Sequence, residues 1–135
     1  MYTLDTNIII YYFNGEAPIL AFLREQTEQG APLFVSAVTE HELYSYPHLT
    51  PVEVARIDAL LTTFTVIDVD SRIAQLSGQL RATYGIKALD SFIAATALMT
   101  GTTLATRNIR DFRRIPNLDG SCVVTVRDVV SWPDD

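Results

Sequence analysis

The chain has 135 residues, 48% of them hydrophobic, which is enough for one sizeable core and suits a single domain over residues 1–135. No apolar stretch approaches the roughly 20 residues of a membrane span. No basic-then-apolar leader with a small-residue cleavage site is present either, so we expect a soluble, cytoplasmic protein without a membrane partner. The one cysteine, Cys122, excludes an internal disulfide framework. It lies in an apolar, strand-like run over residues 122–126, where we expect a buried and inert thiol.

Charge is distributed unevenly along the chain. The net charge is −6, and residues 1–67 account for all of it, whereas acidic and basic side chains balance over residues 68–135. The overall sign argues against a nucleic-acid partner. Four arginines nevertheless fall between Arg107 and Arg114, and the planar guanidinium suits phosphate oxygens better than a point charge does. By composition alone, a solvated charged loop explains this cluster equally well.

Strand-like and helical segments alternate along the chain. The predicted strands cover residues 2–4, 33–36, 64–69, 103–106 and 122–126. The predicted helices cover residues 7–13, 18–29, 39–46, 51–62, 71–84 and 88–100, several with Pro near the start or Gly just past the end. This alternation predicts an α/β fold with a mainly parallel sheet and helices on both faces. Sheets of this kind bind ligands beyond the carboxyl ends of their strands.

Two acids near strand ends have ordinary structural explanations. Asp5 ends the first strand and could cap the following helix, although Thr6 would serve equally well as the cap and leave the carboxylate free. Glu42 is the last residue of Thr39-Glu-His-Glu and fits a capping box, in which its carboxylate would bond the amide of Thr39. Taken singly, both acids are better explained as caps than as site residues.

Asp90 is harder to explain by local structure. It opens a helix that is apolar nearly all round and therefore buried, so its carboxylate needs a cation as partner, from arginine or from a metal. Asn108 and Asp111 follow the fourth strand and are ordinary turn residues on their own. If the acids converge with Asp5 and Glu42 at one sheet edge, they repel one another unless a divalent cation lies among them. Oxygen-only ligands suit Mg²⁺ or Mn²⁺, and such ions activate water and stabilise a phosphodiester under attack.

Four short motifs stand in a fixed order on this α/β pattern. They are Asp5-Thr6-Asn7, Glu42-Leu43, Leu89-Asp90-x-x-Ile93-Ala94-Ala95 and Leu104-Ala-Thr-Arg-Asn-x-x-Asp111-Phe112. Together they resemble the PIN-domain ribonucleases, in particular the VapC toxins of prokaryotic toxin–antitoxin pairs. The resemblance covers the chain from residue 1 to about residue 132.

The resemblance implies a PIN-like three-layer sandwich acting as a metal-dependent endoribonuclease. Water would attack phosphorus and leave a 5′-phosphate and a 3′-hydroxyl, with Mg²⁺, or Mn²⁺ as a substitute, in the acidic pocket. The residues implied for catalysis and metal binding are Asp5, Glu42, Asp90 and Asp111. Those implied on the substrate side are Thr6, whose hydroxyl would steady the pocket, and Arg107, Asn108 and Arg110. Many members of the family carry a fourth acid where this chain has Asn108, so Asp111 is expected to supply that charge, and both one and two bound ions stay open.

The resemblance also implies partners. These toxins form homodimers, and a cognate antitoxin holds them inactive by laying its C-terminal segment over the pocket. The stretch Tyr44-Ser-Tyr-Pro-His48 is a candidate contact surface for it, with ordinary core packing as the alternative. The acidic N-terminal half of the chain would favour a basic antitoxin tail.

Two other functions stay open at this point. A signalling receiver is also an α/β protein with an acidic Mg²⁺ pocket, and Asp68 and Asp70 flank the end of the predicted third strand. The paired acids after the first strand and the lysine near the fifth strand that a receiver needs are absent, however. A catalytically silent binding module with the same fold is the second alternative, and Asn108 at the fourth acid position favours it.

Overall fold

The computed structural model describes residues 1–115 and 123–124, and within them five strands form one sheet that packs with seven helices. The strands are β1 (Tyr2–Leu4), β2 (Leu33–Ser36), β3 (Thr65–Ile67), β4 (Thr103–Ala105) and β5 (Val123–Val124). The helices are α1 (Thr6–Phe13), α2 (Ala17–Glu28), α3 (Ala37–Tyr44), α4 (Pro51–Leu61), α5 (Ser71–Tyr84), α6 (Ala88–Thr100) and α7 (Ile109–Phe112). None of these described helices has the length and apolar character needed to cross a membrane.

All described strand pairs are parallel, in the order β3-β2-β1-β4-β5, which confirms the predicted α/β class. From the central β1 the chain builds outward through β2 and β3, and then adds β4 and β5 on the other side. The strand order therefore reverses between β1 and β4. The register pairs Leu4 with Ala105, so the carboxyl ends of these two strands lie side by side. Open parallel sheets bind ligands at such a reversal point, which makes this edge the expected place for a site.

The sheet is buried on both faces, which gives three layers. Successive side chains of a strand point to opposite faces. In β4, Leu104 packs in a core with α5 and α6, whereas Ala105 packs in a core with α1 and α2. The core on the α1–α2 side includes Leu4, Ile8, Ile19, Phe22 and Val35. The core on the α5–α6 side includes Ile73, Ile93, Ala95, Leu104 and Phe112.

The predicted start of the helix after β2 is wrong. The helix α3 begins directly after Ser36, because this residue ends the strand and caps the helix with its own side chain, which accepts a hydrogen bond from the amide of Val38 at 3.0 Å. Thr39 therefore lies inside the helix instead of at its cap. The predicted capping box between Thr39 and Glu42 does not form, and the carboxylate of Glu42 is left for other contacts.

The segment after β4 also differs from the prediction. The strand ends at Ala105, and the predicted turn contains the short helix α7. Phe112 at the end of this helix is fully buried in the α5–α6 core and anchors the segment. Of the predicted fifth strand, Val123–Val124 pairs with β4. Cys122 and residues 125–126 lie outside the described residues.

Candidate active site

Asp5 both caps α1 and forms the centre of the candidate site. Its Oδ1 accepts a hydrogen bond from the amide of Thr6 at 2.8 Å, which makes Asp5 the N-cap of the helix. Its Oδ2 accepts a hydrogen bond from the hydroxyl of Thr106 at 2.7 Å, and its amide donates to the carbonyl of Ala105 at 2.9 Å. The alternative in which Thr6 caps the helix and leaves the Asp5 carboxylate free is wrong, because Oδ1 of Asp5 caps α1 while its Oδ2 accepts from Thr106, which follows β4.

The surroundings of Asp5 raise its pKa from 3.8 to about 7. Desolvation is the main cause, since the residue is only 5% exposed. Repulsion from Asp90 and, to a smaller extent, from Glu42 adds to the rise in pKa, while the hydrogen bonds from Thr106 and Thr6 oppose it. The ionised form of Asp5 is therefore disfavoured near neutral pH, and a cation beside it would restore that form.

Glu42 reaches this space from α3 by way of Thr6. The Thr6 hydroxyl donates to Glu42 Oε1 at 2.6 Å, and its oxygen also lies 3.0 Å from Oγ1 of Thr39. Thr39 is fully buried and Thr6 nearly so. One hydroxyl thus ties the helix that Asp5 caps to the helix that carries Glu42, and fixes the distance between the two acids.

Asp90 approaches the same space from the first turn of α6, where it is half-buried. Burial is the largest cause of its raised pKa, and repulsion from Asp111 comes next. Lys87 opposes the rise, and Glu42 adds to it. Because Asp90 also raises the pKa of Asp5, the four acids singled out from the sequence lie within electrostatic reach of one another.

A chain of hydrogen bonds joins Asp5 to Asp111 through the segment after β4. The hydroxyl of Thr106, which donates to Asp5, accepts a hydrogen bond from the amide of Asn108 at 2.9 Å. The side-chain Nδ2 of Asn108 in turn donates to Asp111 Oδ2 at 2.9 Å. Since Thr106 is fully buried, this chain fixes the segment against the end of β1.

The donor chemistry of the pocket fits a hard divalent cation. Four carboxylates and several threonine hydroxyls supply only oxygen atoms, which is the ligand type that Mg²⁺ and Mn²⁺ prefer. Among the described residues, no three acidic, histidine or cysteine side chains meet closely enough to form a complete metal-ligand set. The acids do repel one another, and the raised pKa values of Asp5 and Asp90 reflect that repulsion together with burial.

The two arginines expected to contact RNA are placed differently. The Arg107 side chain is only 6% exposed, with Nη1 3.3 Å from Glu16 Oε2 and its guanidinium carbon 3.8 Å from the centre of the Tyr11 ring. Arg110 is exposed on α7. The expected RNA contact is thus compatible with the position of Arg110, whereas the guanidinium of Arg107 is directed at its own chain.

Sequence reasoning missed Thr106 and assigned Thr39 to the wrong position. Thr106 directly follows β4 as Asp5 directly follows β1, so knowing that the two strands are neighbours would have paired these residues. Neither the residues around β1 nor those around β4 indicate that these two strands are neighbours in the sheet. The place of Thr39 depended on where α3 begins, and a second capping residue three positions earlier, Ser36, decided that.

The structure contradicts the receiver alternative. The side chain of Asp70 accepts a hydrogen bond from the amide of Ile73 at 2.9 Å, so this acid caps α5. In addition, β3 lies at the edge of the sheet, next to β2. Receivers have the strand order 2-1-3-4-5, with the third strand beside the first.

The fold and the site together define a class: an α/β protein with a parallel sheet and a carboxylate pocket at the reversal of its strand order. A family model described as PIN domain matches residues 2–118. The chain belongs to the PIN-domain family. The resemblance drawn from the four sequence motifs is therefore confirmed.

Relatives and solved structures agree with this assignment. The chain is 30% identical over 125 residues to "Ribonuclease VapC2" of Haemophilus influenzae, covering 84% of this chain and 91% of that protein. It is 29% identical over 123 residues to "Ribonuclease VapC19" of Mycobacterium tuberculosis, covering 87% of this chain and 97% of that protein. Among solved structures, a toxin–antitoxin complex from Klebsiella pneumoniae matches with a TM-score of 0.74 at 31% identity, covering 93% of this chain and 98% of that one. The DNA-bound VapBC of Salmonella typhimurium matches with a TM-score of 0.79 at 27% identity, covering 93% and 97% of the two chains.

Proposed function

We propose that this protein is an endoribonuclease, the toxin of a VapBC-type toxin–antitoxin pair, and that it hydrolyses RNA phosphodiester bonds in the pocket around Asp5 with Mg²⁺, or Mn²⁺ as a substitute. Relatives at 29–30% identity are named ribonucleases, and a solved structure at 31% identity is a toxin–antitoxin complex. These names support the reaction class and the kind of partner. The metal and the roles of individual residues are supported by the chemistry of the pocket.

The observation that carries the proposal is the buried carboxylate of Asp5, whose pKa is raised to about 7 beside two further acids. Burying a carboxylate among like charges costs stability. A nuclease pocket that takes up a divalent cation explains why the chain holds Asp5 in this position. A helix cap alone does not explain it, because a serine or an asparagine would cap α1 without the charge.

The four acids would divide the work according to their positions. Asp5 and Asp90, whose pKa values are both raised by burial and by neighbouring acids, would hold the ion. Glu42, which the Thr6 hydroxyl fixes at one oxygen, keeps its other oxygen for orienting the attacking water. Asp111, tethered by Asn108, would supply the fourth charge. A bound divalent ion would lower the pKa of that water and stabilise the charge that develops on the phosphate.

The substrate would approach from the side of α7. Arg110 is exposed there, as are Arg113 and Arg114 in the residues that follow. Guanidinium groups bind phosphate oxygens through paired hydrogen bonds. This local basic patch offsets the acidic net charge at the place where an RNA backbone would lie beside the pocket.

The antitoxin would bind the surface around Tyr44 and Tyr46. These side chains are 41% and 49% exposed, which is high for large aromatic side chains. Tyr46 lines a cavity of about 310 Å³ between α1, α3 and α4. Its lining includes Phe13, Leu43, His48, Leu49 and Ile57. We also propose, from the family resemblance, that the toxin is a homodimer.

Cleavage of total cellular RNA by antitoxin-free protein tests the proposal. We expect discrete cuts that require Mg²⁺ or Mn²⁺, carry 5′-phosphate ends, and disappear in Asp5→Asn and Asp90→Asn. Asp68→Asn is the matched control, because Asp68 is an exposed acid that follows the edge strand β3, two strands away from β1, and it should cut like the wild type. A contaminating ribonuclease that uses the 2′-hydroxyl as nucleophile would leave cyclic phosphates without any metal.

The silent binding module predicts a different result. Asn108 occupies the fourth acid position and its side-chain Nδ2 donates to Asp111, which is the observation in favour of that alternative. Folded protein that cuts no RNA with either metal would refute the nuclease proposal and leave the binding module as the better account.

A further inference from the structure

We propose that Arg107 is a positioning residue that holds the Thr106–Asp111 segment against α1, and that it does not contact the RNA backbone. The inference rests on the ribonuclease function proposed above and departs from the role that the family resemblance suggests for this arginine. It is carried by the socket in which the guanidinium lies.

The socket is built from two residues at the end of α1. The guanidinium carbon lies 3.8 Å above the centre of the Tyr11 ring, and Nη1 lies 3.3 Å from Glu16 Oε2. Stacking and ion pairing use different parts of a guanidinium, since its face meets the ring while its edge meets the carboxylate. With both in place the Arg107 side chain is only 6% exposed, which leaves little of it for a phosphate.

The backbone at the end of α1 fixes the two walls of this socket relative to each other. The amide of Glu16 donates to the carbonyl of Tyr11 at 3.1 Å, and the amide of Gly15 donates to the carbonyl of Tyr12 at 3.0 Å. This pair of bonds is a Schellman motif, which needs a left-handed residue between its ends. Gly15 provides it, with φ of 75°. The motif fixes the backbone of Glu16 relative to that of Tyr11, and both side chains contact the guanidinium of Arg107.

The side chain of Glu16 forms the ion pair with Arg107 and does not cap α2. Glu16 is the N-cap of α2, yet its side chain makes no capping hydrogen bond. Residues with shorter side chains, such as Ser or Asp, are the better caps. A glutamate at this position is explained by its reach to Arg107.

The socket acts on the pocket because Arg107 directly follows Thr106 in the chain and packs against α1, the helix that Asp5 caps. The backbone amide of Arg107 is 3.4 Å from Oδ1 of Asn7 and its guanidinium stacks on Tyr11, so the segment meets α1 near its first turn and again in its last turn. Residues four apart on a helix share a face, and Asn7 and Tyr11 have this spacing. Anchoring at two points on one face of α1 sets the position from which the Thr106 hydroxyl donates to Asp5.

Steady-state cleavage of an oligoribonucleotide chosen from the sites cut in total RNA separates the two roles. Arg107→Lys keeps the positive charge but loses the flat stacking surface. A positioning role predicts that kcat falls about tenfold or more with KM within about twofold of the wild type, because a misplacement of about 1 Å costs orders of magnitude in rate. Glu16→Gln removes the ion pair from the other side and should lower kcat in the same direction. The double variant should be no slower than the slower single variant.

The salt dependence of KM supplies the second readout, with Arg110→Ala for comparison. A lost phosphate contact on single-stranded RNA makes the slope of log KM against log salt shallower by about 0.7. We expect that change for Arg110→Ala and none for Arg107→Lys or Glu16→Gln. The inference is overturned if the Arg107 variant shifts KM and the salt slope, or if Arg107→Lys and Glu16→Gln both keep the wild-type kcat.

Two measurements without RNA separate failure of this inference from failure of the nuclease proposal. Thermal unfolding of Arg107→Lys, Glu16→Gln and the double variant should show shifts that do not add, because both changes act on one guanidinium and residues in direct contact couple. Titration with Mn²⁺ should show several-fold weaker binding in Glu16→Gln, a substitution of similar shape at a partly exposed side chain that should leave the fold intact. If the wild type cuts no RNA, non-additive shifts with weaker Mn²⁺ binding still support the socket, whereas additive shifts and unchanged Mn²⁺ binding overturn it.

Discussion

The hydroxyl of Thr106 donates a hydrogen bond to Asp5 Oδ2 at 2.7 Å, and this bond joins the ends of the two strands between which the strand order reverses. The proton of the hydroxyl is committed to Asp5, since the Thr106 oxygen accepts from the amide of Asn108. The bond therefore stabilises the ionised form of Asp5 and lowers its pKa against the effect of burial.

Replacing Thr106 by valine tests the weight of this bond. Valine keeps the branched shape and loses the donor, so the pKa of Asp5 should rise above its value of about 7 in the wild type. Divalent cations bind the ionised carboxylate, so the pH at which Mn²⁺ binding reaches half its maximum should move upward. The substitution also leaves Asp5 Oδ2 and the backbone amide of Asn108 without this hydroxyl as a hydrogen-bond partner, which costs about 1–3 kcal/mol of stability. Titration with Mn²⁺ at a series of pH values measures the shift.

Thr96→Val is the matched control for that substitution. Thr96 is equally buried, but its hydroxyl donates to the carbonyl of Phe92 in its own helix. The pH dependence of Mn²⁺ binding should stay as in the wild type. A Thr106→Val protein with unchanged pH dependence would mean that the carboxylate of Asp5 does not depend on this donor.

The raised pKa of Asp5 makes the metal-free protein less stable as the pH rises. The pKa of Asp5 is about 7 in the folded protein, whereas the ordinary pKa of an aspartate is 3.8, so between these two pH values the folded state holds a proton that the unfolded state has lost. The contribution of Asp5 to the free energy of unfolding is therefore fully present below pH 3.8 and is lost as the pH rises through about 7. Asp5→Asn cannot ionise, so near pH 8 it should be more stable than the metal-free wild type by up to about 4 kcal/mol.

Thermal unfolding near pH 5 and near pH 8, with and without Mg²⁺, checks this prediction. Asp90 and Glu42 contribute to the rise in the pKa of Asp5, so an ion among the acids should restore stability to the wild type at the higher pH. The same ion should add little to Asp5→Asn. Equal gains from Mg²⁺ in both proteins would place the ion elsewhere.

Much of the fold follows from local patterns in the sequence. The bounds of β2 and α5 and the glycine that ends α6 are as predicted, because each depends on residues next to it: the apolar run at Leu33–Ser36, the cap at Asp70, and Gly101 with its φ of 66°. The start of α3 was missed because Ser36 and Thr39 are both good caps, and the neighbouring strand decides between them.

The contacts within the site depend on the order of strands in space, which local patterns do not encode. The sequence indicated that acids gather at the carboxyl edge of the sheet. It did not indicate that β4 lies beside β1, and hence that Thr106 would bond Asp5. The socket of Arg107 was missed for the same reason, since Glu16 is 91 residues away in the chain. The RNA contact of Arg107 is what the family resemblance implies, and nothing near this residue in the sequence indicates its ion pair with Glu16.

Thr6 is predicted to set the position of Glu42. Its hydroxyl donates to Glu42 Oε1 at 2.6 Å in a nearly buried setting. Thr6→Val should therefore release the carboxylate and lower kcat for RNA cleavage by about tenfold or more, with a stability loss of about 1 kcal/mol. Thr6→Ser keeps the donor and should recover most of the rate. Valine and serine variants with the same kcat would show that the hydroxyl does not matter for catalysis.

Asn108→Asp tests whether the fourth acid position belongs to the metal pocket. The side-chain Nδ2 of Asn108 donates to Asp111 Oδ2 at 2.9 Å. A carboxylate in its place would repel Asp111, which already raises the pKa of Asp90. Without metal the variant should unfold at a lower temperature than the wild type near pH 8, and Mn²⁺ should raise its unfolding temperature by more, because the added charge strengthens ion binding.

Asn108→Ala separates the new charge from the lost tether. It also removes the bond to Asp111 but adds no carboxylate, so its gain from Mn²⁺ should be no larger than that of the wild type. If Asn108→Asp likewise gains no more than the wild type, residue 108 does not face the ion, and the oxygen of an amide there cannot serve as a weak ligand. A larger rise in unfolding temperature with Mn²⁺ in Asn108→Asp alone would mean that residue 108 faces the ion. The wild type would then bind the ion less tightly than the variant does, because the side chain of Asn108 holds Asp111 and adds no charge.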